Sequence, residues 1–203
     1  MTRTISRRFA AAALAAVVLS GAALAQAQRP SLPTDMSLGK ADAPVTLVEY
    51  ASVGCPHCAA WHREVWPAFK AKYVDTGQVR FVYREMLTGN PALAYAGFIT
   101  ARCVPRARYF DVVEDIAQNY DAYAQSIDLK GEMKALAGKL GLSAANFETC
   151  YKDEAKAGIV SRHRANVAVD QVQGTPTLVV NGVKVPSPET LETLDRAIAA
   201  ARP

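Results

Sequence analysis

The run Val45 to Ala51 is β-branched and apolar on both faces, with Glu49 as its single charge. That pattern predicts a buried central strand. From Cys55 onward the period changes: Trp61, Val65, Trp66 and Phe69 recur at helical spacing, with Pro67 expected to kink the helix and Gly77 to end it. A second strand is predicted over Val79 to Arg84. Asn90-Pro91 then reads as a cap and first helical position. From there to about Gln171 the chain is rich in Ala and helix formers, punctuated by Gly131, Gly138 and Gly141, with Ser143 as an N-cap, which predicts several short helices. Beyond Gly174-Thr175-Pro176, the β-rich runs Thr177 to Val180 and Val183 to Val185 flank Asn181-Gly182, a hairpin signal. A closing amphipathic helix is expected to start at Ser187-Pro188, with Leu191, Leu194 and Ile198 on one side. The order is strand, helix, strand, helical block, hairpin, helix: an α/β layer split by a helical insertion.

The first residues belong to a different pattern. Arg3, Arg7 and Arg8 precede the apolar stretch Ala10 to Leu19, and Ala23-Leu24-Ala25 is a small-x-small cleavage signal, with Ala25-Gln26-Ala27 as a second. This is the layout of a bacterial secretory signal over residues 1–25, too short and too rich in small residues for a good membrane span. A retained anchor is the alternative. Ser6-Arg7-Arg8-Phe9 loosely matches a twin-arginine signal, so the export route stays open. Residues 26–41, with Pro30, Pro33 and Gly39, read as an extended polar tail.

Removing the signal changes the charge picture. It holds three arginines and no acid, so the formal charge falls from +4 to +1. A nearly neutral remainder gives no electrostatic case for nucleic-acid or membrane-surface binding. The rest of the chain is long enough for one domain with a sizeable insertion, and is expected to be soluble. All four cysteines, Cys55, Cys58, Cys103 and Cys150, lie in the exported part, where disulfides form and persist.

Cys55-Pro56-His57-Cys58 carries the candidate chemistry. Two cysteines separated by two residues at a helix start can close a small disulfide ring without remodelling the backbone. The first thiol sits where unpaired N–H groups and the positive helix end stabilise a thiolate. Cys55 is therefore the candidate nucleophile, expected to be the more exposed of the two, and Cys58 the buried resolving thiol. Pro56 fits the first helical position, and His57 can add a hydrogen bond or a positive charge to the thiolate, making the disulfide more oxidising. A structural zinc half-site would need partner ligands, yet Cys103 and Cys150 stand isolated and no second C-x-x-C exists. Haem attachment needs His after the second cysteine, where Ala59 stands. A purely structural disulfide of this size would restrain little chain entropy.

Glu49 six residues before Cys55-Pro56-His57-Cys58, then Gly174-Thr175-Pro176-Thr177, then Val180-Asn181-Gly182, in this order, resemble the DsbA-like thioredoxin superfamily of bacterial envelope oxidoreductases. The resemblance implies a thioredoxin-like domain over residues 42–88 and 173–203, with a helical domain, 89–172, inserted between its halves. It implies that Glu49 is a buried acid near Cys58 that relays its proton, rather than a solvent-facing strand residue; Arg80 is a candidate charge partner. Thr175-Pro176 resembles the family's cis-proline loop, whose backbone pairs with substrate and whose Thr175 could also reach a cysteine sulfur. An ordinary trans proline is the alternative. Cys103 and Cys150 are read as a disulfide joining two helices of the insertion, worth about 3–4 kcal/mol in lost chain entropy, with two separate buried thiols as the alternative; some alphaproteobacterial relatives carry a comparable second pair. His62 and His163 read as solvated helix residues, and Trp61 and Trp66 as packing near the redox helix. The expected function is oxidation of reduced or unfolded exported proteins in the periplasm, with reoxidation by a DsbB-like quinone-linked membrane partner and no bound cofactor. A DsbC- or DsbG-type isomerase or reductase and a copper- or zinc-handling protein using Cys55, His57 and Cys58 are the competing readings. The former type usually carries an N-terminal dimerisation region, for which too few residues lie between the signal and Val45, so the resemblance implies a monomer.

Overall fold

The computed structural model of the protein describes residues 32–202, so the export signal expected in residues 1–25 lies outside the described residues. Strands β1 (Met36–Leu38), β2 (Val45–Ala51), β3 (Val79–Glu85), β4 (Thr177–Val180) and β5 (Val183–Lys184) form one sheet in the order β1-β3-β2-β4-β5. The predicted central strand is central: β2 runs parallel to β3 and antiparallel to β4, placing Glu49 opposite Tyr83 on one side and Leu178 on the other.

Because side chains alternate along a strand, β2 divides the core in two. Val45, Leu47 and Ala51 face the larger cluster with Trp61, Trp66, Phe69, Leu194 and Ile198. Val48 and Tyr50 face a smaller one with Val82, Val172 and Val179. Helices α1 (Pro56–Glu64), α2 (Trp66–Phe69) and α9 (Leu191–Ala201) thus cover one face. The far end of α8 (Asp153–Asp170) covers the other. Between β3 and α8 the helical block contains α3 (Pro91–Cys103), α4 (Tyr109–Gln118), α5 (Tyr120–Ala124), α6 (Leu129–Lys139) and α7 (Ala144–Cys150). Asn90 and Ser143 cap α3 and α7, accepting from Leu93 N–H at 3.1 Å and Asn146 N–H at 3.2 Å.

Three local expectations are corrected. The first helix does not kink at Pro67 but ends at Glu64; α2 restarts at Trp66 with Pro67 in its first turn, where a missing N–H costs nothing, and a π-helical turn Lys70–Val74 follows. Ser187-Pro188 is a cis turn ahead of α9, whose cap is Thr190, accepting from Thr193 N–H at 3.2 Å. The polar tail supplies a strand, β1, antiparallel to β3. Three residues show no readable alternation; a buried ion pair secures them. Asp35 receives Arg84 Nε and Nη2, both at 3.1 Å, and Arg84 Nη1 donates to Tyr50 Oη at 2.6 Å.

Cys103 and Cys150 end α3 and α7 and are joined as a disulfide, their Cα atoms 5.9 Å apart and 47 residues apart in sequence.

Asp35→Ala removes one partner of a buried charge pair and is expected to lower unfolding free energy by about 3–5 kcal/mol in urea titrations. The double variant Cys103→Ala/Cys150→Ala is expected to lose about 3–4 kcal/mol in the same measurement, the entropy of an opened long loop.

Candidate functional site

Cys55 is the N-cap of α1, extended at φ −98° and ψ 121°, with Pro56 at the first helical position. The turn that delivers it leaves the end of β2 and is held on several sides. Cys55 N–H donates to Ser52 O at 3.1 Å and Gly54 N–H to Ser52 Oγ at 3.1 Å, while Ser52 Oγ donates to Thr88 O at 2.9 Å. Gly54 O accepts from Asn90 N–H at 2.7 Å and from Tyr120 Oη at 3.0 Å. Gly89 makes this approach possible: its φ is +74°, and a Cβ there would lie 2.0 Å from Gly54 O.

Both cysteines are covered, Cys55 at 5% exposure and Cys58 at 2%, so the candidate nucleophile is less open than its position at a helix start implies. The cover is the Thr175-Pro176 loop, whose peptide bond is cis as the resemblance implied. Cys55 Sγ donates to Thr175 O at 3.4 Å, and the hydroxyls of Thr175 and Thr88 meet at 2.6 Å. The two thiols are driven apart electrostatically. A hydrogen bond from Cys58 lowers Cys55 to about 5 against the opposing cost of burial, helped by Thr175 and by the backbone N–H groups of Cys58 and His57. Burial pushes Cys58 well above the usual thiol value, followed by its bond to Cys55 and the charge of Glu49. The His57 side chain is exposed. With Trp61, Glu64, Thr175, Pro176 and Pro188 it lines an open groove of about 430 Å³ beside the Cys55 turn.

Glu49 is fully buried on the β2 face turned toward α1. Arg80 is not its partner. The parallel register sets Arg80 opposite Thr46, three residues away and therefore on the other face of the sheet. The partner is His62, which sequence reading left in solvent: it is 3% exposed, with Nε2 3.0 Å from Glu49 Oε2. His62 follows Cys58 by four residues, so the signal for it was present, one helical turn along the same face. His163 is corrected too; it is half-buried, and its Nδ1 accepts from Leu87 N–H at 3.2 Å, tying α8 to the loop after β3. Trp61 and Trp66 are buried packing residues that also donate, to Glu189 O at 2.9 Å and Glu114 Oε1 at 3.0 Å. Among the described residues no three His, Cys, Asp or Glu side chains converge as a metal site, and no helix is long and apolar enough to cross a membrane.

Comparison with known proteins agrees with this geometry. Residues 31–200 match the family model described as Thioredoxin. Proteins of Rickettsia typhi and Rickettsia conorii, both named "Putative protein-disulfide oxidoreductase", are 30% and 31% identical over 169 residues, 82% of this chain. The chain spans 62% and 60% of their lengths. Among solved structures, Wolbachia pipientis alpha-DsbA1 superposes with a TM-score of 0.75 at 23% identity, over 87% of this chain and 95% of that one. Oxidised BdbD from Bacillus subtilis gives 0.73 at 20% identity, over 86% and 96%. This chain belongs to the thioredoxin family, and its fold is that of the DsbA-like members.

Proposed function

We propose that the chain is a thiol–disulfide oxidoreductase that donates the Cys55–Cys58 disulfide to reduced, newly exported proteins in the periplasm. The observation that carries this reading is the divergence of the two thiols: Cys55 is held near 5 while Cys58 is pushed well up. A stabilised Cys55 thiolate is a good leaving group and favours the reduced protein, which makes the disulfide oxidising. A substrate thiolate attacks Cys55 Sγ, Cys58 leaves, and a second substrate thiol attacks the mixed disulfide to release Cys55. Substrate backbone pairs with Thr175 and Pro176, replacing the Cys55–Thr175 contact, and the groove beside His57 receives the flanking residues. Glu49 serves as the internal proton acceptor for Cys58. The oxidoreductase names of the Rickettsia relatives support the same chemistry.

On this reading residues 42–88 and 173–203 form the redox unit, residues 89–172 form the inserted helical domain, and Cys103–Cys150 is a structural bridge outside the exchange. The chain works as a monomer without a bound cofactor and is reoxidised by a DsbB-like quinone-linked membrane protein. The test is the equilibrium of Cys55–Cys58 with glutathione, together with oxidation of reduced ribonuclease compared with unscrambling of a misoxidised one. A potential near that of thioredoxin with little oxidase activity would assign the chain to the reductase or isomerase side.

His57→Ala is expected to make the protein less oxidising by about two- to fivefold in the glutathione equilibrium constant, the size of one charge interaction at a helix end. Cys55 should be alkylated by iodoacetamide with a midpoint near 5. Its folded value lies below the ordinary 9.0, so the stability it contributes to the reduced protein is complete above 9.0 and lost as pH falls to about 5. Urea titration of the reduced protein against Cys55→Ala across that window checks the sign.

A further inference from the structure

The exchange at Cys55 makes no direct use of His62, yet the fold buries its imidazole against Glu49. Two atoms of this pair, Glu49 Oε1 and His62 Nδ1, have no hydrogen-bond partner among the described residues. An unpaired buried polar atom costs about 1–3 kcal/mol, so this is a poor arrangement for a purely structural contact. Structural carboxylates in the same fold are treated differently. Asp35 has both oxygens on Arg84. Glu85 takes Arg102 and Tyr109 on Oε1 and Arg162 on Oε2.

What the Glu49–His62 arrangement does permit is a change in proton number. A carboxylate that alternates between ionised and protonated forms needs a neighbour that donates in one form and accepts in the other. Nε2 of an imidazole does both, because the ring proton can sit on either nitrogen, whereas Lys and Arg only donate. With no hydrogen bond at Nδ1, nothing pins the tautomer.

A user for that proton is adjacent. Cys58 and His62 lie one turn apart on α1, and both line a space of about 10 Å³ with Ser52 and Tyr83, close to the lower limit for one water molecule. The charge of Glu49 reaches Cys58 and helps to raise it. The titratable groups facing His62 are Glu49 from β2, Cys58 from its own helix and Tyr83 from β3, with ring centroids 6.1 Å apart. Burial keeps Tyr83 protonated. Helix α4 presents Val113 and Ala117 to the small space, and its Glu114 is engaged by Trp66.

We propose that Glu49 and His62 jointly hold the single proton that Cys58 takes up and returns in each redox cycle, His62 being the positioning residue that keeps the carboxylate hydrogen-bonded in both states. The proposal rests on Cys55–Cys58 being the redox pair. In the oxidised protein the pair carries one proton beyond an ionised carboxylate and a neutral ring. A substrate thiolate bonds to Cys55 Sγ as the Cys55–Cys58 bond breaks, and the electron pair leaves on Cys58 Sγ. Cys58 takes the proton, and His62 Nε2–H then donates to ionised Glu49. In reoxidation the Cys58 sulfur attacks a mixed disulfide at Cys55, its proton returns to the pair, and the partner leaves as a thiolate.

Two measurements on the full chain test this. Nitrogen-15 NMR of the His62 ring should show Nδ1 protonated in the oxidised protein and only Nε2 protonated in the reduced one; an identical ring in both states overturns the proposal. Release of glutathione from a Cys55–glutathione mixed disulfide, which reports attack by Cys58, is followed between about pH 5 and 9. His62→Phe should slow it at least tenfold at neutral pH, and both His62→Phe and His62→Gln should move the profile by one pH unit or more, with alkylation of Cys55 changed less than twofold. An unmoved profile, or equal slowing of both reactions, overturns the proposal while leaving the redox pair intact. Should His62→Phe not fold, His62→Gln carries the same comparison. A wild-type protein that does not exchange with glutathione at all overturns the redox reading and this one with it.

Discussion

The N–H groups at the start of α1 act on one sulfur because the backbone from Ser52 to Cys55 has nowhere else to go. Ser52 closes the turn from within, and Gly54 O is gripped by Asn90 N–H and Tyr120 Oη, the first capping α3 and the second standing on α5. The helical block therefore fixes the electrostatic environment of the Cys55 turn. Helix α1 supplies partial positive charge through its free N–H groups, and that charge falls off within a turn. Its effect on Cys55 depends on holding Sγ at the helix mouth.

The same geometry sends the two cysteines in opposite directions. Cys55 caps the start of its helix and is met by hydrogen-bond donors; Cys58, one turn deeper, loses solvent and faces Glu49. The cis loop completes the arrangement by placing Thr175 O over Cys55 Sγ and anchoring Thr175 to Thr88, in the loop that also holds Ser52. One side of the site is thus a rigid hydrogen-bonded frame, and the other an open groove beside His57.

Buried carboxylates serve two purposes in this fold. Asp35 and Glu85 are saturated by arginines and hold elements together: Asp35 secures β1 against β3, and Glu85 joins the end of β3 to α3 and α8. Desolvating such charges is tolerable because their lone pairs are matched by fixed donors. Glu49 stands apart, with a partner whose protonation can itself vary and with one oxygen unpaired. A saturated carboxylate has its lone pairs committed to fixed donors, whereas Glu49 keeps one oxygen uncommitted.

Much of this protein was legible locally. Strand β2, the cap at Asn90, the Asn181-Gly182 hairpin and Cys55-Pro56-His57-Cys58 at a helix start each follow from neighbouring residues, because period, capping and turn chemistry act over a few positions. What sequence alone could not assign were pairings across the sheet and between layers. Strand β1 exists because Asp35 meets Arg84, 49 residues away. Arg80 and Glu49 are separated by the parallel register of β2 and β3, and His62 is buried because α1 lies on the Glu49 face. Local chemistry determined where the sulfurs sit, one at the helix start and one a turn deeper. The tertiary structure decided what surrounds them, since burial and register depend on contacts between residues far apart in the chain.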